Sequence, residues 1–444
     1  MAGKELRVDF SAGRVSSDGG VLLLAELDKR LNLSEDLAAC LKDKRDPLRI
    51  QHSLVDLIRT RLLLIGLGYE DCDDADFLRH DPLLLTALGR LPESGHGLPS
   101  QPTLSRLENG LVVEKGLRWR DLYRLSFVFL ERFEKHYNSQ KAPKEIILEI
   151  DATDDETYGH QQLSFFNKYY DKDCYLPYLI WATVDDESEH LLGAVLRPGN
   201  SSNGRGALGI LKRIVKRLKV KFSGVRILLR LDAGFAVPEI YQWAEARGID
   251  VDYAIRFGEN NRLLDEAVVP LEEARRFYEE TKKPLEWYSE CRYQADGWPY
   301  RRRLVMKITI DEKGKMIHRF ILTTLTWCPQ AVFNFYNERG DFENRIKEMK
   351  LSMKSGRTSC TSFKANQFRL ILYAASYLLF TELKRFLEKT SLAKAQVETI
   401  RLRLLKLAGS VKESVRRVWV QFSKHFPLQG LFTSLLVKIR GSTA

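Results

Sequence analysis

Three acidic residues are spaced as phosphoryl-transfer chemistry requires. Asp151 follows the apolar run Glu145 to Ile150, Asp232 follows the apolar run Val225 to Leu231, and Glu343 lies in a helical stretch that begins after Pro329. Two carboxylates at neighbouring strand ends cannot both stay ionised without a cation between them. Hard divalent ions with oxygen ligands relieve that repulsion, and Mg²⁺ suits carboxylates combined with phosphates; Mn²⁺ is expected to substitute. A third carboxylate would complete a two-metal site, with ions roughly 4 Å apart, that activates a nucleophile and stabilises a leaving oxygen. Taken singly, an Asp after a strand is often only a turn former. The joint placement carries the reading.

Cations accompany the third acid. The segment reads Tyr336-Asn337-Glu338-Arg339-Gly340-Asp341-Phe342-Glu343 and continues to Lys350. At about 100° per residue, positions 336, 339, 343 and 350 of one helix fall within about 60° of each other. Arg339 and Lys350 are therefore expected to hold phosphates beside Glu343, with Tyr336 positioning the phosphate backbone and Gly340 as a point where the helix could kink.

The elements that must position these residues follow from periodicity. Glu145 to Ile150, Tyr175 to Val184 and Leu191 to Arg197 read as strands, Gly204 to Lys219 as a basic amphipathic helix, and Val225 to Leu231 as a fourth strand. Pro238 to Arg247 reads as a helix and Val251 to Phe257 as a fifth strand. This β-β-β-α-β-α-β order describes a ribonuclease-H-like α/β sheet, in which the ends of the first and fourth strands are neighbours. Residues 258–327 interrupt the pattern, with alternating strands around Arg302 to Ile310 and His318 to Thr326. Helical periodicity resumes from Pro329 to about Met353 and from Phe363 to Leu387. Before residue 140 the chain reads as mostly helical, with helices over Leu54 to Leu67 and Trp119 to Lys135, and a short one capped by Thr103. Gly204-Arg205-Gly206-Ala207-Leu208-Gly209 fits a dinucleotide fingerprint in letters only, because Pro198 to Asn203 separate it from the preceding strand.

Composition narrows the partner. The 444 residues are 44% hydrophobic, with 70 Lys and Arg against 59 Asp and Glu, a net charge of +11. A surplus of that size favours a polyanion, since each phosphate neutralised releases counterions. From Thr381 to Ala444 there are thirteen Lys and Arg and four Glu, so the C-terminal part carries most of the surplus. The six cysteines show no metal-binding spacing. No apolar run reaches the roughly 18 residues of a membrane span. A soluble, cytoplasmic protein is expected.

The motifs resemble those of a known family. Tyr336-x-x-Arg339-x-x-x-Glu343, with Lys350 after six more residues, matches the Tyr-Arg-Glu-Lys signature of bacterial insertion-sequence DDE transposases. Asp151-Ala152-Thr153, Gly159-His160-Gln161, Leu196-Arg197-Pro198-Gly199-Asn200 and Arg230-Leu231-Asp232-Ala233-Gly234-Phe235 look like the insertion-sequence family numbered thirteen-eighty. So do Ser17-Asp18-Gly19-Gly20, Gly68-Tyr69-Glu70-Asp71, Ser100-Gln101-Pro102-Thr103 and Arg106-Leu107-Glu108-Asn109. The resemblance covers nearly the whole chain. Asp232 sits in Asp-Ala-Gly-Phe where Asp-Ser-Gly-Phe is commoner, a change that leaves the carboxylate intact.

The resemblance implies a ribonuclease-H-like catalytic core split by a β-rich insertion domain, with Asp151, Asp232 and Glu343 as catalytic residues and metal ligands for Mg²⁺. It implies terminal inverted repeats and target DNA as substrates, and a homodimer on paired ends. The expected layout is a mostly helical end-binding region over residues 1–140, core over 141–257, insertion over 258–327, core again over 328–390, and a basic C-terminal tail over 391–444. Relatives use an insertion-domain Trp to hold a flipped base while a hairpin forms. Trp287 and Trp298 are the candidates here, Trp298 with Arg302 nearby for the adjacent phosphate. Two alternatives stand beside strand joining: a catalytically inactive or domesticated DNA-binding protein, and a metal-dependent nuclease that cuts without joining.

Overall fold

The computed structural model describes residues 5–11, 13–138, 142–185 and 188–441. Contacts divide the chain into two compact units: residues 1–128, 155–164 and 347–444 form one, and residues 129–154 and 165–346 the other.

The second unit is built on one eight-stranded sheet. Its strands are β1 (Glu145–Ala152), β2 (Tyr178–Val184), β3 (Ser188–Val195), β4 (Arg226–Leu231), β5 (Val251–Phe257), β6 (Leu285–Tyr293), β7 (Arg302–Ile310) and β8 (Met316–Thr323). They lie in the order β6-β7-β8-β5-β4-β1-β2-β3. β1 pairs antiparallel with β2 and parallel with β4, and β4 pairs parallel with β5. The central strands read as near-continuous apolar runs because both faces are covered; Ile146, Ile147, Leu148 and Ile150 of β1 are all buried.

The interrupting segment does not fold apart from this sheet. β8 pairs antiparallel with β5, and β7 and β6 follow. One buried cluster contains Ile147, Leu228 and Ala254 from the first five strands and Val305 and Ile321 from the added ones. Val332, Phe333 and Phe335 of the Pro329–Asn337 helix cover it. The segment also holds two helices that periodicity did not reveal, Asn261–Glu266 and Val268–Thr281.

Other boundaries differ from expectation. The stretch beginning at Tyr175 is two strands, Lys172–Tyr175 and β2, divided at Leu176-Pro177. The helix expected from Thr103 runs over Gln101–Glu108, with Ser100 at the N-cap position. The single helix expected from Pro329 to Met353 is two, Pro329–Asn337 and Arg339–Ser352, with Glu338 at the break.

In the first unit, the Leu54–Leu67 helix packs on the long Phe363–Leu387 helix, where the Ser376 hydroxyl donates to the Leu62 carbonyl at 2.8 Å. Buried Arg61 and Arg369 are matched by Glu108 and Asp71. The expected C-terminal tail is folded. Val15–Ser16 pairs with Gly409–Glu413, which pairs with Val418–Phe422, and the chain continues into the Gln429–Gly441 helix. Lys406 donates to Asp18 at 2.6 Å, and buried Arg401 donates to the Gly66 carbonyl at 2.9 Å.

Candidate active site

β1 carries Asp151 as its penultimate residue, and β4 ends immediately before Asp232. The parallel register aligns Leu148 with Leu229. Continued along the strands, it aligns Glu149 with Arg230 and Asp151 with Asp232, and alternation puts each aligned pair on one face. Asp232 also caps the turn that follows, its Oδ1 accepting from the Gly234 amide at 2.8 Å. A side chain at position 234 would meet Asn203 at 2.6 Å, so glycine there lets the Asn203 loop close against the turn.

Arg339 opens the second of the two helices, just past the break. One guanidinium nitrogen, Nη2, lies 2.8 Å from Asp151 Oδ2 and 3.7 Å from Asp232 Oδ2, and Nη1 donates to Glu343 Oε1 at 2.6 Å. Three carboxylates therefore converge on one cation. Arg339 is 6% exposed and its Nε has no partner. Burial, opposed by Arg339 and reinforced by Asp232, pushes the Asp151 carboxyl up to about 7. Among the described residues, no three acid, His or Cys side chains close around a common point that could hold an ion. Arg339 occupies the space between these three.

A cavity of about 420 Å³ opens on this cluster. Asp151, Asp232, Arg339 and Glu343 line it together with Asn167, Tyr169, Tyr170, Ser201 and Asn203, which periodicity could not single out. Tyr169 and Tyr170 sit on the hairpin joining Phe165–Asn167 to Lys172–Tyr175. Asn167 shapes it: its side-chain oxygen accepts from the Tyr169 and Tyr170 amides, and its nitrogen donates to the Gly199 carbonyl at 2.9 Å. A Cβ on Gly199 would stand 2.0 Å from the Cys174 carbonyl oxygen, so only glycine lets that loop lie against the hairpin. Arg197 stacks over the Tyr178 ring at 3.5 Å and donates to the Leu176 and Ser202 carbonyls, bracing the loop from behind. The motif around Arg197, Pro198 and Gly199 was the visible signal of this wall.

Other expected site residues lie elsewhere. Tyr336 belongs to the first helix, is half-buried against the sheet cluster, and does not line the cavity. Burial pushes its hydroxyl up to about 12. Lys350 is in the last turn of the Arg339–Ser352 helix, half-buried, and is not among the lining residues. The single stripe of four residues is thus broken by the turn at Glu338, leaving Arg339 and Glu343 together. Trp298 is 7% exposed, edge-on to Tyr241, Phe257 and Tyr293 with ring centroids 5.1 to 5.8 Å away. Arg302 lies over Trp298 and Tyr241 and forms two-pronged hydrogen bonds with Glu245. In this arrangement neither residue presents a free face to a base or a phosphate. Trp287 is half-buried on the outermost strand, beside Phe277.

The family model described as transposase DDE domain group 1 matches residues 1–444. The chain belongs to this family. DDE transposases cut and join nucleic acid and generally use divalent metal ions. No curated protein matches the chain. Among solved structures, it is similar to the cryo-EM structure of the piggyBac transposase synaptic complex with hairpin DNA, at 14% identity and a TM-score of 0.42. That match covers 99% of this chain and 85% of the other. No helix among the transposase's described residues is long and apolar enough to cross a membrane.

Proposed function

We propose that this transposase is of the Tyr-Arg-Glu-Lys type, resembling the thirteen-eighty insertion-sequence family, and that Asp151, Asp232 and Glu343 are its catalytic carboxylates. The observation that carries the reading is their convergence on one guanidinium at the mouth of one cavity. The sheet order β3-β2-β1-β4-β5, with β1 and β4 parallel at its centre, supports a ribonuclease-H-like core.

The donor set fits hard divalent cations, Mg²⁺ with Mn²⁺ able to substitute: three oxygen acids, with a guanidinium now standing where positive charge is required. Asp151, Asp232 and Glu343 would hold such ions, which would supply an activated water and stabilisation of the leaving oxygen. Asp151 and Asp232 hold their positions from strand ends, while Glu343, half exposed on its helix, can adjust. Arg339, beside the same carboxylates, would hold a phosphate of the DNA end. Asn167, Ser201 and Asn203 offer hydrogen bonds to the backbone of a DNA end in the cavity. The substrate is the terminal inverted repeat, cut to leave a 3′-hydroxyl that is joined to target DNA by a homodimer on paired ends. Lys350 and Tyr336 support the DNA-bound arrangement, and an insertion-segment Trp would stack on a base only if its aromatic packing opened.

Strand joining by purified protein on duplexes carrying the element's ends tests this reading. Wild type should cut and join in Mg²⁺, while Asp151→Ala, Asp232→Ala and Glu343→Ala bind ends but do neither. A variant that cuts at the wild-type rate removes its residue from the assignment. Cutting without joining would favour the nuclease alternative.

A further inference from the structure

The C-terminal β-hairpin has one face that the protein uses and one that it does not. In register, Val411 stands opposite Val420, Lys412 opposite Trp419, and Ser410 opposite Gln421. Alternation sends these sets to opposite faces. The inner face is covered: Val411 is buried, and Phe422 lies edge-on to Phe432 with centroids 5.3 Å apart. The outer face carries Lys412, Trp419 and Gln421, all exposed, Trp419 at 52%.

The tip is Ser414-Val415-Arg416-Arg417, with Val415 fully exposed and Arg417 within 5.8 Å of the Trp419 ring. Among the described residues, no carboxylate pairs with Lys412, Arg416, Arg417 or Lys424. The one acid of the hairpin, Glu413, is turned away: it accepts from the Ser94 hydroxyl at 2.6 Å and the Glu93 amide at 2.8 Å. The hairpin is also anchored, because Val15–Ser16 pairs along its inner strand and the Val411 amide donates to the Arg14 carbonyl at 3.1 Å.

We infer that this hairpin is a DNA-docking ribbon, with duplex DNA laid against Lys412, Arg416, Arg417 and Trp419. A two-stranded ribbon fits the major groove of B-form DNA. Unpaired cations on its rim neutralise phosphates and release counterions on binding. The Trp419 ring supplies an apolar contact that tolerates any sequence. A solvated surface hairpin has no need of a half-exposed Trp, a bare Val at its tip and three unpaired cations along its outer face and tip. The inference rests on the DNA-acting reading of the protein but concerns a surface apart from the carboxylates, and it gives the C-terminal charge a specific element.

The test uses the full chain and a fluorescently labelled DNA duplex of scrambled sequence, with anisotropy titrated between about 50 and 200 mM salt. Arg416→Glu with Arg417→Glu should weaken binding by roughly tenfold or more and make the log K against log salt slope shallower by about 0.9 for each phosphate left without its cation. Trp419→Ala should weaken binding with the slope unchanged. Melting temperature should not move in either, and Arg416→Gln with Arg417→Gln serves if charge reversal disturbs folding. Folded variants that bind duplex like wild type, with the same slope, overturn the ribbon and leave the cavity reading standing. If the wild type binds no duplex, both fall. If the variants lose binding only to vesicles of anionic lipid, the surface is a membrane contact and the inference is wrong.

Discussion

Glu149 and Arg230 face each other across β1 and β4 as a buried two-pronged ion pair, two residues before Asp151 and Asp232. Arg230 Nε and Nη2 lie 2.9 and 3.2 Å from the two Glu149 oxygens, and both residues are almost fully buried. An attractive pair thus sits one step below two carboxylates that repel, and it holds the strands in the register that brings the repelling pair together. The same guanidinium donates to the Phe335 carbonyl at 2.8 Å and to Glu338 at 3.0 Å, at the helix break that precedes Arg339. One side chain ties together the three elements that carry the candidate site.

Breaking this pair from one side should be costly. Arg230→Met strands Glu149 in the sheet, and loss of one partner of a buried pair costs about 3 to 5 kcal/mol. Arg230→Met with Glu149→Leu should recover much of that stability, since apolar replacement of both partners is often neutral. Urea denaturation of the two variants decides it. A single variant as stable as wild type would show that the pair does not hold the register.

Arg339 and a divalent ion should compete for the same carboxylates. Arg339→Gln leaves Asp151 and Asp232 without their present counter-cation, so the metal-free protein should melt lower. Mn²⁺ should bind it more tightly than it binds wild type, as read by calorimetry without DNA, and should restore the lost melting temperature. Weaker or unchanged Mn²⁺ affinity would mean that the guanidinium does not occupy the ion's place.

Asp155 should leave a mark on stability against pH. Burial pushes its carboxyl up to about 7, against hydrogen bonds from the Thr358 amide and hydroxyl that favour the ionised form. A raised carboxyl binds its proton in the folded state while the unfolded chain has released it. Stability from this group is therefore full below about 4 and is lost as pH rises to about 7, at no more than about 1.4 kcal/mol per pH unit. Asp155→Asn should flatten that part of the curve; chemical melts at stepped pH values check it, and an unaltered slope counts against the assignment.

Trp298→Ala should behave as a core truncation. Removing a ring packed among Tyr241, Phe257 and Tyr293 typically costs about 3 to 5 kcal/mol. Binding, cutting and joining should fall together with the melting temperature. A variant that melts like wild type but stalls after the first nick would restore the base-stacking role.

Much of the sheet was legible because buried strands announce themselves as apolar runs, and the two Asp residues punctuate the runs at β1 and β4. The Leu54–Leu67 helix was legible to its ends, since Ser53 and Asp56 form a capping box and Gly68 closes it with positive φ. The break at Glu338 was not. Gly340 is the residue with breaking propensity, yet it lies inside the second helix, and tertiary contacts through Arg230 and Glu338 place the bend two residues earlier. β6 was hidden because an outermost strand reading Leu-Glu-Trp-Tyr-Ser-Glu-Cys-Arg-Tyr is half wet on both faces. Tyr169, Ser201 and Asn203 come from loops and Asn167 from the end of a three-residue strand, where no period exists to mark them. The C-terminal charge was counted correctly, but counting obscured the alternation that folds it into a hairpin.

The dispersion of the site along the chain governs when it can exist. Asp151 and Asp232 meet only after β1 and β4 pair in parallel across β2, β3 and a helix, and Arg339 arrives 188 positions after Asp151. Pairings so distant in sequence form slowly and late in folding. If Asp151, Asp232 and Glu343 act together as proposed, a ribosome-bound chain that has not reached Glu343 holds two carboxylates and no third, and it should not cut DNA however well its first strands have folded. On the same assignment, a product terminated before Glu343 should be inactive as a nuclease. Because β6 to β8 extend the same sheet, the nascent β5 edge stays bare until they arrive, which makes the stretch of synthesis between residues 257 and 323 the moment at which this chain is most exposed to aggregation.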